Sequence, residues 1–257
     1  MYNETPFARG ARNTNETSAA LVAADDSLLT RFNAHFRTFT AQTPEQIREA
    51  QRVRYQVYCI ENALEAPNAE GIETDGFDSH AVHSLLVHRA AGRALGTVRL
   101  ILPLPGNIEH SFPMQAVLPE STAREFRKLP LHSSAEVSRY SVSRQLRRLD
   151  GSNEEGAGFI SVSGPLMRLA LFQCMVRMSF ECGITHWCAM MEPTLLRMLA
   201  AMAIRFRPVG PLVEFHGLRQ PCYCSVADIL DSTRQERPAF WSVLTNGGAL
   251  RKSAAAA

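Results

Sequence analysis

Three arginines stand where a folded chain tolerates charge least. Arg54 lies in an apolar-periodic stretch with the spacing of a helix, while Arg99 (Thr97-Val98-Arg99-Leu100) and Arg139 (Val137-Ser138-Arg139-Tyr140) lie in stretches that alternate like strands. An arginine facing a core without a carboxylate beside it costs several kcal/mol, so whatever fold forms must deliver acids to these positions. The acids are at hand: Glu73, Asp75 and Asp78 within Gly71–Asp78, and Glu136 three residues before Arg139. In extended geometry Glu73 and Asp75 point the same way, and Asp78 points elsewhere unless the chain turns at Gly76. One network of three arginines and four acids therefore has to close across residues far apart in sequence. It is read equally well as a structural ion-pair lattice or as part of a functional site.

The elements that carry these residues follow from pattern. Phe36-Arg37-Thr38-Phe39-Thr40 alternates as a strand, and Thr43-Pro44-Glu45-Gln46 is a helix start with Thr43 as N-cap, opening a helix over 44–60 that puts Arg54 and Tyr58 on one face. A polar loop over 61–75 follows, then a hairpin of strands 81–88 and 94–102 about the turn Ala91-Gly92-Arg93. A strand over 136–144, a glycine-containing loop over 150–158, a long helix over 161–182 stopped at Gly183, a buried strand over 184–190, a helix from Pro193, and strands over 209–215 and 223–226 complete the series. The order lacks the regular alternation of a doubly wound sheet. It predicts a mixed α/β (α+β) fold whose central twisted sheet is largely antiparallel and flanked by helices.

The composition narrows the function classes. With Lys+Arg 27 against Asp+Glu 25 the chain has no basic field for nucleic acid, and its 46% hydrophobic content supports a sizeable core. No stretch approaches the roughly 20 apolar residues of a membrane span and the first residues are polar, so a cytoplasmic protein is expected, touching a membrane only peripherally through a lipid product. We expect one domain over 25–245 between flexible segments 1–24 and 246–257. The six cysteines are expected to be free thiols, and neither Cys182/His186/Cys188 nor Cys222/Cys224 supplies the two spaced pairs of a zinc site, so no metal is expected.

Five segments together carry a resemblance. Arg52-Val53-Arg54-Tyr55-Gln56-Val57-Tyr58, Gly71 to Asp78, Gly96-Thr97-Val98-Arg99-Leu100, Phe112-Pro113 and Glu136 to Val142 resemble, in order and spacing, the acyl-homoserine-lactone (autoinducer) synthases over roughly residues 36 to 145. The run from Arg207 to Cys222 is similar instead to the related N-acyl amino acid synthases and the exosortase (PEP-CTERM) system-associated acyltransferases, and the tryptophan of the autoinducer pattern is replaced by the neighbourhood of Ala63, Leu64 and Ala66.

The resemblance implies the fold of the Gcn5-related N-acetyltransferases (GNAT) and an N-acyltransferase moving a long-chain fatty acyl group from a carrier thioester to the α-amine of an amino acid such as tyrosine. The alternatives are an acyl-homoserine-lactone synthase and a non-catalytic acyl-carrier-binding protein of an export system. It implies that two parallel strands splay around the acyl donor, with a bulge near Glu136 to Ser143 offering backbone N–H groups to the oxyanion. By carry-over, Glu136 and Glu73 are the candidate bases, Glu136 preferred. Asp75 and Asp78 would pair with Arg54, Arg99 or Arg139, with Tyr58 beside them, leaving Arg99 or Arg54 to hold the acceptor carboxylate. No bound cofactor is expected. Glu154 and Glu155 among the glycines of the loop after residue 144 would repel the phosphates of coenzyme A, making it the second choice of donor behind acyl carrier protein. Arg144, Arg147, Arg148 and Arg168 form the basic patch expected to meet that acidic carrier.

Overall fold

In a computed structural model, residues 28–145, 157–215 and 217–250 are described, with the backbone alone over 157–164. The expectations for residues 1–24 and 251–257, for Arg147 and Arg148, and for Glu154 and Glu155 lie outside the described residues. Helix α1 (28–35) precedes β1 (Phe36–Thr40) and α2 (Pro44–Tyr55), which runs on into a π-helical turn, Gln56–Glu61. The hairpin is β2 (Ala81–His88) and β3 (Arg93–Ile101), followed by α3 (Glu120–Phe126), β4 (Ser134–Val142), α4 (Ala157–Cys182), β5 (His186–Met191) and α5 (Pro193–Ala201). Short strands β6 (Arg207–Pro208) and β7 (Val213–Glu214), then β8 (Leu218–Ser225), α6 (Val226–Glu236) and α7 (Pro238–Thr245) close the described chain.

The eight strands form one sheet in the order β1-β2-β3-β4-β5-β8-β6, with β7 paired to β8 off that path. Every pairing is antiparallel except β4 with β5. Helices cover both faces, which explains the burial of β2 on both sides: Leu85 and Val87 pack under α2 with Ala50 and Val53, while Leu86 joins the cluster under α4 with Leu166, Leu169 and Phe172. This is the mixed, largely antiparallel α/β architecture expected from the sequence.

Local signals account for much of it. Thr43 caps α2 as expected, accepting from the Gln46 amide at 3.3 Å while Gln46 Oε1 accepts from the Thr43 amide at 3.3 Å. Gly183, at φ +67, stops α4. Gly96 is demanded by packing: a Cβ there would sit 2.8 Å from the Ser141 carbonyl oxygen of the neighbouring strand. Gly96→Ala is therefore expected to destabilise the protein by about 1–3 kcal/mol, read as a lower urea midpoint at unchanged slope.

Differences from the sequence reading have physical causes. Of the strand expected over 209–215 only the two-residue β7 forms, because Gly210 and Pro211 cannot sustain a ladder, and the two-residue β6 lies just before that range. The strand expected over 223–226 is longer, since β8 begins at Leu218. Packing continues to Leu250, 6% exposed, five residues past the expected domain boundary.

Two irregularities shape the centre. β4 pairs with β5 only through Ser134–His186, Ala135–Trp187 and Glu136–Cys188, after which the strands part. On its other side β4 bulges against β3: Thr97 pairs with Ser141 but Arg99 with Ser138, so Arg139 and Tyr140 oppose Val98 alone, with Arg139 at φ +51.

Candidate active site

The 71–78 loop is folded onto α2, the Glu73 amide donating to the Gln51 carbonyl at 3.1 Å. The chain then turns at Gly76 into a single 3-10 turn. Asp75 Oδ1 accepts from the Phe77 amide (2.9 Å) and Asp78 Oδ2 from the Asp75 amide (3.0 Å), so both carboxylates are fixed by backbone before any arginine arrives.

The three arginines converge on them. Arg54, 0% exposed, donates Nε to Glu73 at 2.5 Å and Nη1 to Asp78 at 2.6 Å. Arg99, 1% exposed, grips both Asp75 oxygens through Nη1 (2.6 Å) and Nη2 (2.8 Å), reaches Asp78 at 2.5 Å, and donates Nε to Ser138 Oγ at 2.9 Å. Arg139 donates to Glu73 through Nε and Nη2 and to Asp75 Oδ2 at 3.1 Å, with its guanidinium 4.9 Å from the Tyr58 ring centre. Burial alone would raise the three carboxyls, but the hydrogen bonds and charge of the arginines outweigh it, lowering Glu73 and Asp75 and holding Asp78 at about 2. His83, buried beside Arg54 with Nε2 3.5 Å from Asp78, is pushed down to about 4 by desolvation and the Arg54 charge, so it is neutral at pH 7.

Glu136 is set apart. It is 3% exposed and its Oε2 accepts a hydrogen bond from the Met114 amide at 3.0 Å. Desolvation dominates over that bond and over the charges of Arg99 and Arg139, pushing its carboxyl up to about 8.

The parting of β4 and β5 opens two adjoining cavities, of about 320 and 310 Å³, that share Tyr58, Val137 to Tyr140, Met190, Glu192 and Arg219. Glu136 lines the second, with Leu64, Ser141 and Phe215; the first runs between Phe172, Met175, Met191, Leu195 and Leu199. The chemistry available is a neutral or ionised carboxyl at one end, an adjacent strand bulge, and an apolar wall of methionine and leucine.

Several expectations change here. The sequence points to Arg99 or Arg54 for the acceptor carboxylate, yet both are fully buried and line neither cavity: Arg99 spends its fork on Asp75 and Asp78, and Arg54 meets Glu73 and Asp78 and keeps only a buried Nη2 without a partner. Arg144 is less free than a docking patch requires: Nη2 donates to the Glu61 carbonyl (2.8 Å) and Asn62 Oδ1 (3.0 Å), and Glu61 also accepts from its backbone amide at 2.9 Å. Arg168 stands exposed on α4. All six cysteines are free thiols, and no metal-binding cluster is present among the described residues. Sequence reasoning missed Arg219, which lay inside the segment quoted for the resemblance and alternates with the inward-facing Cys222 and Cys224 only once β8 is seen to start at Leu218. It missed His83 and the Met114 amide too, for which no local sequence signal exists.

No curated protein matches the chain by sequence. Residues 53–153 match the family profile of the acetyltransferase (GNAT) domain. Among solved structures, TofI in a ternary complex with an inhibitor and MTA is 19% identical, covering 79% of this chain and 99% of that one at a TM-score of 0.53. BjaI with MTA, a CoA-dependent acyl-homoserine lactone synthase, is 18% identical over 82% of this chain and 88% of its own, with a TM-score of 0.52. FeeM, an N-acyl amino acid synthase from uncultured soil microbes, is 16% identical over 78% and 97%, also at 0.52. At these identities the likeness is one of architecture, and the architecture is the GNAT-like fold.

Proposed function

We propose that the protein is an N-acyltransferase that moves a long-chain fatty acyl group from an acyl carrier protein thioester to the α-amine of an amino acid such as tyrosine. The carrying observation is the split between β4 and β5, where an apolar-walled cavity adjoins a second one lined by the buried carboxyl of Glu136, whose affinity for a proton is pushed up to about 8. Glu136, ionised, takes a proton from the acceptor's ammonium group, directly or through a water. The neutral nitrogen attacks the thioester carbonyl carbon, the oxyanion is met by backbone N–H groups of the Arg139–Tyr140 bulge, and collapse breaks the C–S bond to release the carrier thiol and the amide. The methionines on the first cavity's wall suit a flexible chain. The run 207–222, which builds β6, β7 and the start of β8, supports the N-acyl amino acid synthase branch associated with exosortase systems, acting in the cytoplasm on the carrier.

The test is mass spectrometry of the purified protein incubated with palmitoyl carrier protein and tyrosine, where N-palmitoyl tyrosine is expected. Lactone and methylthioadenosine formed from S-adenosylmethionine would replace this reading with the autoinducer-synthase one. Carrier binding without any amide product would replace it with a scaffold. Faster turnover with palmitoyl coenzyme A would remove the carrier from the scheme. For the docking surface, Arg168→Glu is expected to raise KM for the acyl carrier about fivefold at low salt, less at high salt, with kcat unchanged.

A further inference from the structure

We propose that Arg219 holds the carboxylate of the acceptor, so that the cavity selects amines carrying a neighbouring acid. The inference rests on the acyltransferase reading above. The antiparallel register of β5 and β8 pairs Met191 with Gln220, which sets Arg219 across from Glu192 at the head of α5. Arg219 Nη1 lies 3.2 Å from Glu192 Oε1 and donates to the Leu218 carbonyl at 3.3 Å, while Nε and Nη2 make no hydrogen bond to any described residue. The side chain is 21% exposed and lines both cavities. Its head lies against the β7–β8 turn, where Gly217, at φ +93, leaves it room: a Cβ there would stand 3.4 Å from Nη1.

The other arginines near the site are already engaged. Arg54 and Arg99 are buried away from the cavities. Arg139 reaches them, but its Nε and Nη2 are taken by Glu73 and Asp75. A guanidinium with two nitrogens unoccupied, in a cavity partly closed to water, matches the planar geometry of a carboxylate. Glu192 and Glu65 line the cavity as opposing charges. Glu192 is 56% exposed, so its charge is screened, and it touches one nitrogen only, which makes it a positioning residue for the fork. Glu136 on β4 pairs with Cys188 of β5, and Arg219, on β8 at the other edge of β5, stands across from Glu192, four residues further along, so the carboxyl and the fork rise from backbone positions on the order of 16 Å apart and both line one cavity. An acceptor lying between them presents its amine to Glu136 and its acid to Arg219.

The experiment compares N-palmitoyl tyrosine with N-palmitoyl tyramine, which differ only in the carboxylate, by titration calorimetry, and then tyrosine with tyramine as acceptors. Wild-type protein is expected to bind the tyrosine compound about 10–100-fold more tightly. Arg219→Ala should bring the two within about threefold, Arg219→Lys should keep part of the preference, and KM for the acyl carrier should not move in either variant. Equal binding of the two compounds by wild type, no binding of either, or an Arg219→Ala effect that weakens both alike would overturn the proposal. Discrimination in binding without any acyl transfer sustains the role of Arg219 and removes the acyltransferase reading. Transfer to tyramine as fast as to tyrosine does the reverse.

Discussion

Glu136→Gln is expected to lower kcat/KM for amide formation by about 10²–10⁴-fold while leaving acyl-carrier binding intact. Glutamine keeps the shape and the oxygen that accepts from the Met114 amide at 3.0 Å, so the change removes only the proton acceptor. With the carboxyl pushed up to about 8 by burial, the wild-type rate should climb with pH through neutrality and level off above about 8, because only the ionised form takes a proton. Glu73 is the informative comparison. Its carboxylate is shared between Arg54 and Arg139 and its affinity for a proton is lowered, so it stays ionised across that range and is a weak base. A rate flat from pH 6 to 9, or a pH limb removed by Glu73→Gln instead of Glu136→Gln, would take the base assignment away from Glu136.

The same carboxyl leaves a mark on stability with the opposite slope. Its folded affinity for a proton is raised above the ordinary 4.5, so its contribution is fully present below that pH and is lost as pH rises toward about 8. The ionised form that chemistry needs is thus the form the fold disfavours. By calorimetry, Glu136→Gln should melt close to wild type at pH 5 and above it at pH 9, separating a buried catalytic carboxyl from one paired with an arginine.

Local rules made most of the frame legible in the sequence. Capping at Thr43, the glycine stop at Gly183 and the alternation in β1 to β4 depend on residues within a few positions of each other, and there the expected elements are the observed ones. The sites of disagreement depend on partners far away. α3, α6 and α7 bury residues such as Phe126, Ile229 and Val243 against distant elements, and the short runs concerned carry no distinctive pattern. The acid–arginine network was visible as a demand for charge compensation, because an unpaired buried arginine is costly whatever the topology. Which acid meets which arginine was not, since it is set by the 3-10 turn at Gly76 and by the bulge that gives Arg139 a positive φ. For the same reason the sequence points to Arg54 or Arg99 as the cation for the acceptor's carboxylate. Only the register of β8 against β5 shows that Arg219 faces the cavity.

Arg99→Ala is expected to be among the most damaging single changes outside the apolar core, costing about 3–5 kcal/mol in urea denaturation at pH 7. Arg99 is 1% exposed and makes four hydrogen bonds to Asp75, Asp78 and Ser138, so its removal leaves Asp75 with Arg139 as its one arginine and Asp78 with Arg54 as its one arginine. Arg139→Ala should cost less, because its side chain is 22% exposed and water reaches the vacancy. Arg205→Ala should leave the urea midpoint almost where it is, since the Arg205–Glu236 pair is half exposed on both sides and screened by water. The pH dependence fixes the cause. Against the raising effect of burial, Asp75 is lowered from an ordinary 3.8 chiefly by Arg99, and Asp78 is held at about 2 chiefly by Arg54 with Arg99 adding to it, so the stability they contribute is present above about pH 4 and is lost as pH falls toward 2. The gap between Arg99→Ala and wild type should accordingly narrow between pH 4 and 2, as the carboxyls protonate and no longer need the arginine. A gap unchanged at pH 2.5 would mean that Arg99 acts by filling space, and the three arginines would then have to be read as packing residues instead of as the counter-charges that fix the 73–78 loop over the site.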